Sequence, residues 1–558
     1  MPPTSTSLRG TPVVPGVAYA PAVVATASVS PDAVAAFEKS DLDPDAALAA
    51  YDAAVAATAE GLSARAGTAS GAAAEVLTAT AALARDKGLR SAVRQRLTAG
   101  DPLLAALASS VEQFAGVFTQ LGGLTAERVT DLHDIERRVV ARLVGEPEPG
   151  VPVADRRAVL LAEDLAPADT AGLDAATVVA LVTEKGGATS HTAIIARQLG
   201  IPCVVGVAGL RDVAEGTPLL VDGTTGEVTV EPDVADAERR VRGAQEAREA
   251  HSRWAGPGRT ADGTSVKLLA NVADGASAAS AGAGPVEGVG LFRTELSFLG
   301  RSDEPSVEEQ TEVYSAVLAP FAGDRHVVVR TLDAGSDKPI AFATLEGEEN
   351  PALGVRGLRL SLGNPGLMER QLEGIARAAR ATGTETWVMA PMVATVAEAR
   401  GFADLVRAHG LKAGAMVEIP SAALLAHQLL AVVDFLSIGT NDLTQYTMAA
   451  DRMTTDLAHL TDPWQPAVLQ LVAITAEAGR IAGKPVGICG EAAADPVPAP
   501  ALVGMGVTSL SMALSAVRPV GAALAAVTMD ACEQAAEAAL GASDPMAARE
   551  AVRAVLAG

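Results

Sequence analysis

Residues Ala413–Gly439 read AGAMVEIPSAALLAHQLLAVVDFLSIG. An apolar run, Ala413–Glu418, ends on an acid. Proline and an alanine- and leucine-rich stretch follow, and a second apolar run, Phe435–Gly439, begins after Asp434. Neither run alternates polar and apolar residues, as expected of a parallel strand covered on both faces. Strand, helix and strand together make the unit of a parallel sheet. Outward from this stretch the pattern recurs at Val266–Val272, Gly288–Phe292, Val327–Arg330, Trp387–Pro391, Pro485–Cys489 and Ser509–Met512. Eight such strands within residues 259–558 predict a (β/α)8 TIM barrel.

The first half reads differently. Val13–Val24 is β-branched and punctuated by proline and glycine, which predicts one or two short strands. Further strands are expected at Ala158–Ala162, Val178–Val182, Cys203–Val207, Leu219–Asp222 and Glu227–Val230. Residues 1–30 and 146–232 therefore read as one α/β domain. Between them, residues 31–145 read as an inserted α-helical bundle, with runs at Asp43–Ala66, Ala72–Arg85, Leu103–Leu121 and Thr125–Leu143. Asp43-Pro44 and Asp101-Pro102 have the residue types of helix starts. Gly145–Pro152 reads as a turn, and residues 233–258 as a charged linker helix.

Composition excludes several classes. Of 558 residues, 49% are hydrophobic and 20% charged, enough apolar material for large cores. Lys+Arg is 43 and Asp+Glu is 67, a formal charge of −24. A field of that sign does not attract nucleic acid, and an anionic substrate would need arginines gathered locally. The three cysteines, Cys203, Cys489 and Cys532, form no disulfide framework. A reducing cytoplasm is the expected location. Two uncharged stretches, 11–31 and 496–517, are broken by prolines, so no membrane insertion is expected.

Two sets of residues carry chemistry. Glu184–Arg197 reads EKGGATSHTAIIAR after a predicted strand. Gly186-Gly187 permits a tight turn, and His191 then opens a helix beside free backbone N–H groups that can hold phosphate oxygens. The second set stands at strand ends, where a barrel keeps its active site. It comprises GLFRTE (Gly290–Glu295), RTLD (Arg330–Asp333) with Lys338, MVEIP (Met416–Pro420), SIGTNDLTQY (Ser437–Tyr446) with Arg452, and ICGE (Ile488–Glu491). Arginine forks match phosphate and carboxylate. Glu418 and Asp442 are hard oxygen donors able to hold Mg2+.

These motifs resemble those of the phosphoenolpyruvate-utilising enzymes. GG-x-TSH followed by IIAR and LGIP (Leu199–Pro202) resembles the family's phosphohistidine motif, which implies that His191 is the nucleophile that accepts a phosphoryl group from phosphoenolpyruvate. The barrel motifs imply that Arg293, Arg330 and Arg452 contact the phosphate, with Asn441 and Asp442 beside them and Lys338 in support. Arg356, within NPALGVRGLRL (Asn350–Leu360), matches a further family arginine. Glu418 and Asp442 are implied as Mg2+ ligands, and Cys489 as the acid that protonates the enolate carbon.

The family's dikinases and synthases carry a large ATP-binding domain before the histidine. Only about 145 residues precede it here, and no GxxxxGK[ST] loop is present. The domain order resembles the enzyme I branch of the family. That branch implies transfer of the phosphoryl group to a histidine of the phosphocarrier protein HPr, docked on the helical insertion, as the first step of sugar uptake. It also implies a homodimer through the barrel and a swing of the histidine domain about Gly145–Pro152 or Asp233–Gly258. The alternatives are a synthase-like enzyme that borrows its ATP domain and a non-catalytic sensor of phosphoenolpyruvate. Ala166, Ala188 and Ser336 depart from residues frequent in the family.

Overall fold

The computed structural model describes the chain apart from residues 1–5, 26–28, 40–41, 69–71, 122–127, 147, 149–155, 164, 166–172, 187–190, 299–300, 335–339, 345–347, 349, 452–453, 455–456, 458 and 558. At residues 31, 68, 72–76, 119–121, 130, 191, 194, 198, 351 and 362 it describes the backbone alone. The chain divides into two compact units, Met1–Gln245 and Glu246–Gly558.

The first unit contains an eight-stranded sheet. Its strands are β1 (Thr6–Arg9), β2 (Thr11–Val14), β3 (Val17–Val24), β4 (Ala158–Ala162), β5 (Val178–Thr183), β6 (Cys203–Val205), β7 (Pro218–Asp222) and β8 (Glu227–Val230). Their order is β1-β8-β7-β3-β4-β5-β6-β2. The central β3, β4, β5 and β6 run parallel, and the flanking pairs antiparallel. β1 goes beyond the sequence expectation of strands only from Val13. It is a mostly exposed edge strand paired with β8, so no run of buried apolar residues announces it.

Between β3 and β4 the described residues include the helices α1 (Pro31–Glu38), α2 (Pro44–Thr68), α3 (Ala72–Ala84), α4 (Lys87–Ala99), α5 (Leu103–Leu121) and α6 (Val129–Val144). The Asp43 carboxylate accepts the N–H groups of Asp45 and Ala46 at the start of α2. Asp86 caps α4 through the Leu89 N–H, and Gly100 ends that helix in the left-handed conformation. At the Asp101-Pro102 step, the Pro102 carbonyl takes the Ala106 N–H of α5, while Asp101 lies 3.8 Å from Arg96. The bundle core joins Tyr51, Leu89, Val93, Leu107, Val111, Leu132, Ile135 and Val139.

Arg138 is fully buried on α6. Its guanidinium donates to Asp134 at 2.8 Å and lies 3.4 Å from Glu148, which also pairs with Arg142 at 2.5 Å. Nearby, the Ser30 N–H donates to Glu146 at 2.8 Å, so the two ends of the bundle meet. Arg138→Ala would strip the buried Asp134 carboxylate of its buried partner and leave it the more exposed Arg137, 3.2 Å away. The expected cost is about 3 kcal/mol, read by urea unfolding of the bundle.

In the second unit, eight parallel strands close into a barrel. They are β9 (Lys267–Val272), β10 (Gly288–Arg293), β11 (Gly323–Arg330), β12 (Thr384–Ala390), β13 (Lys412–Val417), β14 (Phe435–Ile438), β15 (Val486–Ile488) and β16 (Ser509–Met512). β16 returns to β9 through Ser509↔Lys267 to Met512↔Ala270. Each of the eight runs predicted from sequence lies on one of these strands. A large core joins strand residues such as Val327, Val329, Val388, Ala415 and Leu436 to helix residues such as Leu372, Phe402 and Leu429. Before β9, α8 (Val234–Ser252) leads to Trp254, whose ring packs so closely on Gly521 that an added Cβ would lie 2.4 Å from it. Among the described residues no helix is long and apolar enough to cross a membrane.

Candidate active site

The barrel register brings the motif residues together. Arg293 and Arg330 are partners at the ends of β10 and β11. Val417, Ile438 and Ile488 align across β13, β14 and β15. The backbone bonds continue one residue further, Gly439 N–H to Val417 and Cys489 N–H to Ile438. Glu418, Gly439 and Cys489 thus stand side by side at the C-terminal end of the barrel. Asp442 lies in the first turn of the helix Thr440–Met448.

Arg330 is buried there. It donates to Glu295 at 2.5 Å and lies 3.0 Å from Asp333. Arg356, also buried, lies 3.1 Å from Asp333 and 3.4 Å from Asp442 and the Tyr446 hydroxyl. The Nε atoms of both arginines have no hydrogen-bond partner among the described residues. Arg293 is half-buried, and its guanidinium meets no hydrogen-bond or ion-pair partner among the described residues.

Glu418 is completely buried. Its Oε1 accepts the Met392 N–H at 2.5 Å, while its Oε2 has no partner among the described residues. Met392 sits at φ 59°, a left-handed conformation that costs a non-glycine residue about 1 kcal/mol. Burial, with the charges of Asp442 and Asp333 beside it, pushes the Glu418 carboxyl up from the ordinary 4.5 to about 8. Gly439 keeps the space beside the free oxygen open, since a Cβ there would lie 3.2 Å from Oε2.

Two guanidinium groups, Arg330 and Arg356, therefore serve four carboxyls: Glu295, Asp333, Glu418 and Asp442. Carboxyls outnumber guanidinium groups in this set, and the Glu418 Oε2 has no hydrogen-bond partner among the described residues. A divalent cation with a hard oxygen preference fits that deficit.

Cys489 is buried, and its thiol donates to the Ile438 carbonyl at 3.6 Å. Burial raises its pKa, so at neutral pH the sulfur keeps its proton. Asn441 Oδ1 accepts the Glu491 N–H at 3.3 Å, tying the β14 and β15 loops together. Gly490 is required beside it, because a Cβ would lie 1.8 Å from the Thr440 hydroxyl.

The structure thus gathers Arg293, Arg330, Arg356, Glu418, Asn441, Asp442 and Cys489 at one end of one barrel. Lys338 and Arg452 lie outside the described residues, as do Ala166, Ala188 and Ser336. Sequence reasoning passed over Glu295 and Asp333 as site members, although both belong to quoted motifs. The available signal was the spacing of Asp333 three residues after Arg330. In the first unit, His191 is the first residue of α7 (His191–Leu199), which follows β5 and a left-handed Gly186 at φ 96°. Its backbone is in the position expected, and its side chain is outside the described set.

A phosphate-grade arginine set at the top of a (β/α)8 barrel, preceded by a histidine-opened helix on a separate α/β unit, defines a PEP-utilising enzyme. Three family profiles match: "PEP-utilising enzyme, PEP-binding domain" over residues 247–529, "PEP-utilising enzyme, mobile domain" over 154–226 and "PEP-utilising enzyme, N-terminal" over 9–128. The chain belongs to this family. It is 48% identical over 508 residues to the phosphoenolpyruvate-protein phosphotransferase of Streptomyces coelicolor, covering 90% of this chain and 91% of that one. The protein of the same name from Haloferax volcanii is 41% identical over 456 residues, with 79% and 80% covered. That from Staphylococcus carnosus is 39% identical over 431 residues, with 74% and 75% covered.

Proposed function

We propose that the chain is a phosphoenolpyruvate-protein phosphotransferase. It would phosphorylate itself on His191 and pass the phosphoryl group to a histidine of HPr, the first step of phosphotransferase-driven sugar uptake. The observation that carries the reading is the pairing of an acid-rich arginine site on the barrel with a helix-opening histidine on a separate unit. The length of the match to its relatives supports it.

Phosphoenolpyruvate binds at the barrel mouth, where Arg293 is unpaired and Arg330 and Arg356 exchange carboxylate partners for phosphate oxygens. Lys338, Arg452 and Asn441 complete the anion set. Glu418 and Asp442 would hold Mg2+. Mg2+ is commonly held by one or two carboxylates together with water and substrate phosphate, a role that these two side chains would suit. The ion supplies charge neutralisation for the bound phosphate. His191, the first residue of its helix, attacks phosphorus in line, and the barrier falls mainly through positioning and charge. The enolate left behind takes a proton from the Cys489 thiol. Residues 31–145 form the HPr-docking bundle, residues 1–30 and 146–232 the phosphohistidine domain, 233–258 the linker and 259–558 the phosphoenolpyruvate barrel. The swing between stations turns on 145–152 or 233–258. The protein works in the cytoplasm as a homodimer formed through the barrel.

The test is incubation with labelled phosphoenolpyruvate and Mg2+ in the absence of ATP. Acid-labile, base-stable label on the protein is expected, and its absence would overturn the reading. Cys489→Ala should slow pyruvate release at least about tenfold while leaving Mg2+ affinity within twofold. An unchanged rate would remove the thiol from the mechanism.

A further inference from the structure

Tyr446 closes the SIGTNDLTQY motif, and none of the chemistry above uses it. It lies four residues after Asp442 in the helix Thr440–Met448. Side chains at that spacing share one face of a helix. Both meet the same atom. Arg356 Nη1 donates to Asp442 Oδ1 at 3.4 Å and to the Tyr446 hydroxyl oxygen at 3.4 Å. Its Nη2 lies 3.3 and 3.1 Å from the two oxygens of Asp333. The guanidinium is thus shared between two carboxyls and one neutral oxygen.

The hydroxyl has a fixed direction. It donates its proton to the carbonyl of Ala352, four residues before Arg356. A hydroxyl has one proton to give, so towards Arg356 its oxygen can only accept. The tyrosine therefore ties both the arginine head and the backbone leading to it to the helix of Asp442. The same segment is anchored at other points. Glu348 accepts the Val355 N–H at 2.7 Å, and the Leu358 N–H donates to the Pro391 carbonyl at 3.2 Å. Gly357 between them turns left-handed at φ 59°, where a Cβ would lie 2.9 Å from the Met392 side chain. The backbone is held before and after the arginine, and Tyr446 reaches its head.

We propose that Tyr446 is a positioning residue for substrate binding: its hydroxyl keeps the Arg356 head in place when the Asp442 carboxylate turns away from it. The inference rests on the roles proposed for Arg356 and Asp442. An Asp442 oxygen engaged with a cation no longer serves Arg356 Nη1. The tyrosine oxygen then remains as that nitrogen's acceptor. Because it is neutral, it adds no negative charge beside an incoming phosphate, whereas a carboxylate in its place would compete with the substrate for the guanidinium.

The experiment is calorimetric titration of the full chain with phosphoglycolate in Mg2+, beside phosphoenolpyruvate–pyruvate exchange. Phosphoglycolate carries a phosphate and a carboxylate but no enol, so its affinity reports binding without reaction. Tyr446→Phe keeps the ring and removes the hydroxyl. Its Kd for phosphoglycolate and its half-saturating phosphoenolpyruvate concentration should each rise at least about fivefold, while the maximal exchange rate stays within about twofold. In an Arg356→Met background the same substitution should change the Kd less than about twofold, because the hydroxyl acts through the guanidinium. An unchanged Kd in Tyr446→Phe, or a loss of equal size in both backgrounds, would overturn the proposal and leave the reading of the site standing. Unchanged phosphoglycolate affinity in Arg356→Met alone would instead remove Arg356 from the site, and the role of Tyr446 with it.

Discussion

His191→Ala will take no label from phosphoenolpyruvate and will lose overall phosphotransfer at least about a thousandfold, the scale of removing a nucleophile. The reason is positional. The chain has seven histidines, but His191 alone opens a helix directly after a glycine turn at the end of a parallel strand. A helix start presents backbone N–H groups and the positive end of the helix dipole to an anion. His326 is buried inside the barrel, and His133 and His409 lie beside glutamates on helical surfaces. None of these can substitute. The variant's unfolding transition should match the parent's, since only a side chain at a helix start is lost. Retained label would move the acceptor to another residue.

Glu418→Gln will divide the two properties of the barrel site. Mg2+-dependent activity should fall at least about 100-fold, because a hard anionic oxygen is lost where the proposed cation would be held. In EDTA, however, the variant should be more stable than the parent, with Tm raised about 2 °C or more. The sign follows from burial. The native carboxyl is pushed up to about 8 by desolvation and by Asp442 and Asp333, while the unfolded one titrates near 4.5. Between these values the native state holds a proton that the unfolded state has released. Stability of the metal-free protein therefore falls as pH rises from about 4.5 to about 8, and levels above it. Glutamine has no such dependence. Saturating Mg2+ should reverse the ranking, since the cation stabilises only the parent's charged acid. Equal Tm values at pH 8 in EDTA would show that Glu418 carries no electrostatic penalty.

Most of the barrel was legible because its strands are unbroken apolar runs that end on charged or nucleophilic residues. Glu418 and Cys489 each follow a strand that is buried on both faces, so a line of Val, Ile, Ala and Met points straight at them. The network they enter was not legible. Asp333 serves both Arg330 and Arg356, and Glu295 takes the other side of Arg330. Those pairings depend on neighbouring strands and on the chain between β11 and β12, not on local spacing. β1 was missed for a related reason. An edge strand with exposed Thr and Ser draws its order from β8 rather than from its own pattern.

The hydrogen bond between Ser30 and Glu146 has a consequence for protein engineering. It brings the entrance and exit of the helical module to one point, while the sheet closes without it through β3 and β4. Such a neck makes the module a graft: residues between those two positions could be exchanged for another domain whose own termini touch. The proposed docking of a carrier could then be rewired without recutting the sheet that precedes the histidine helix.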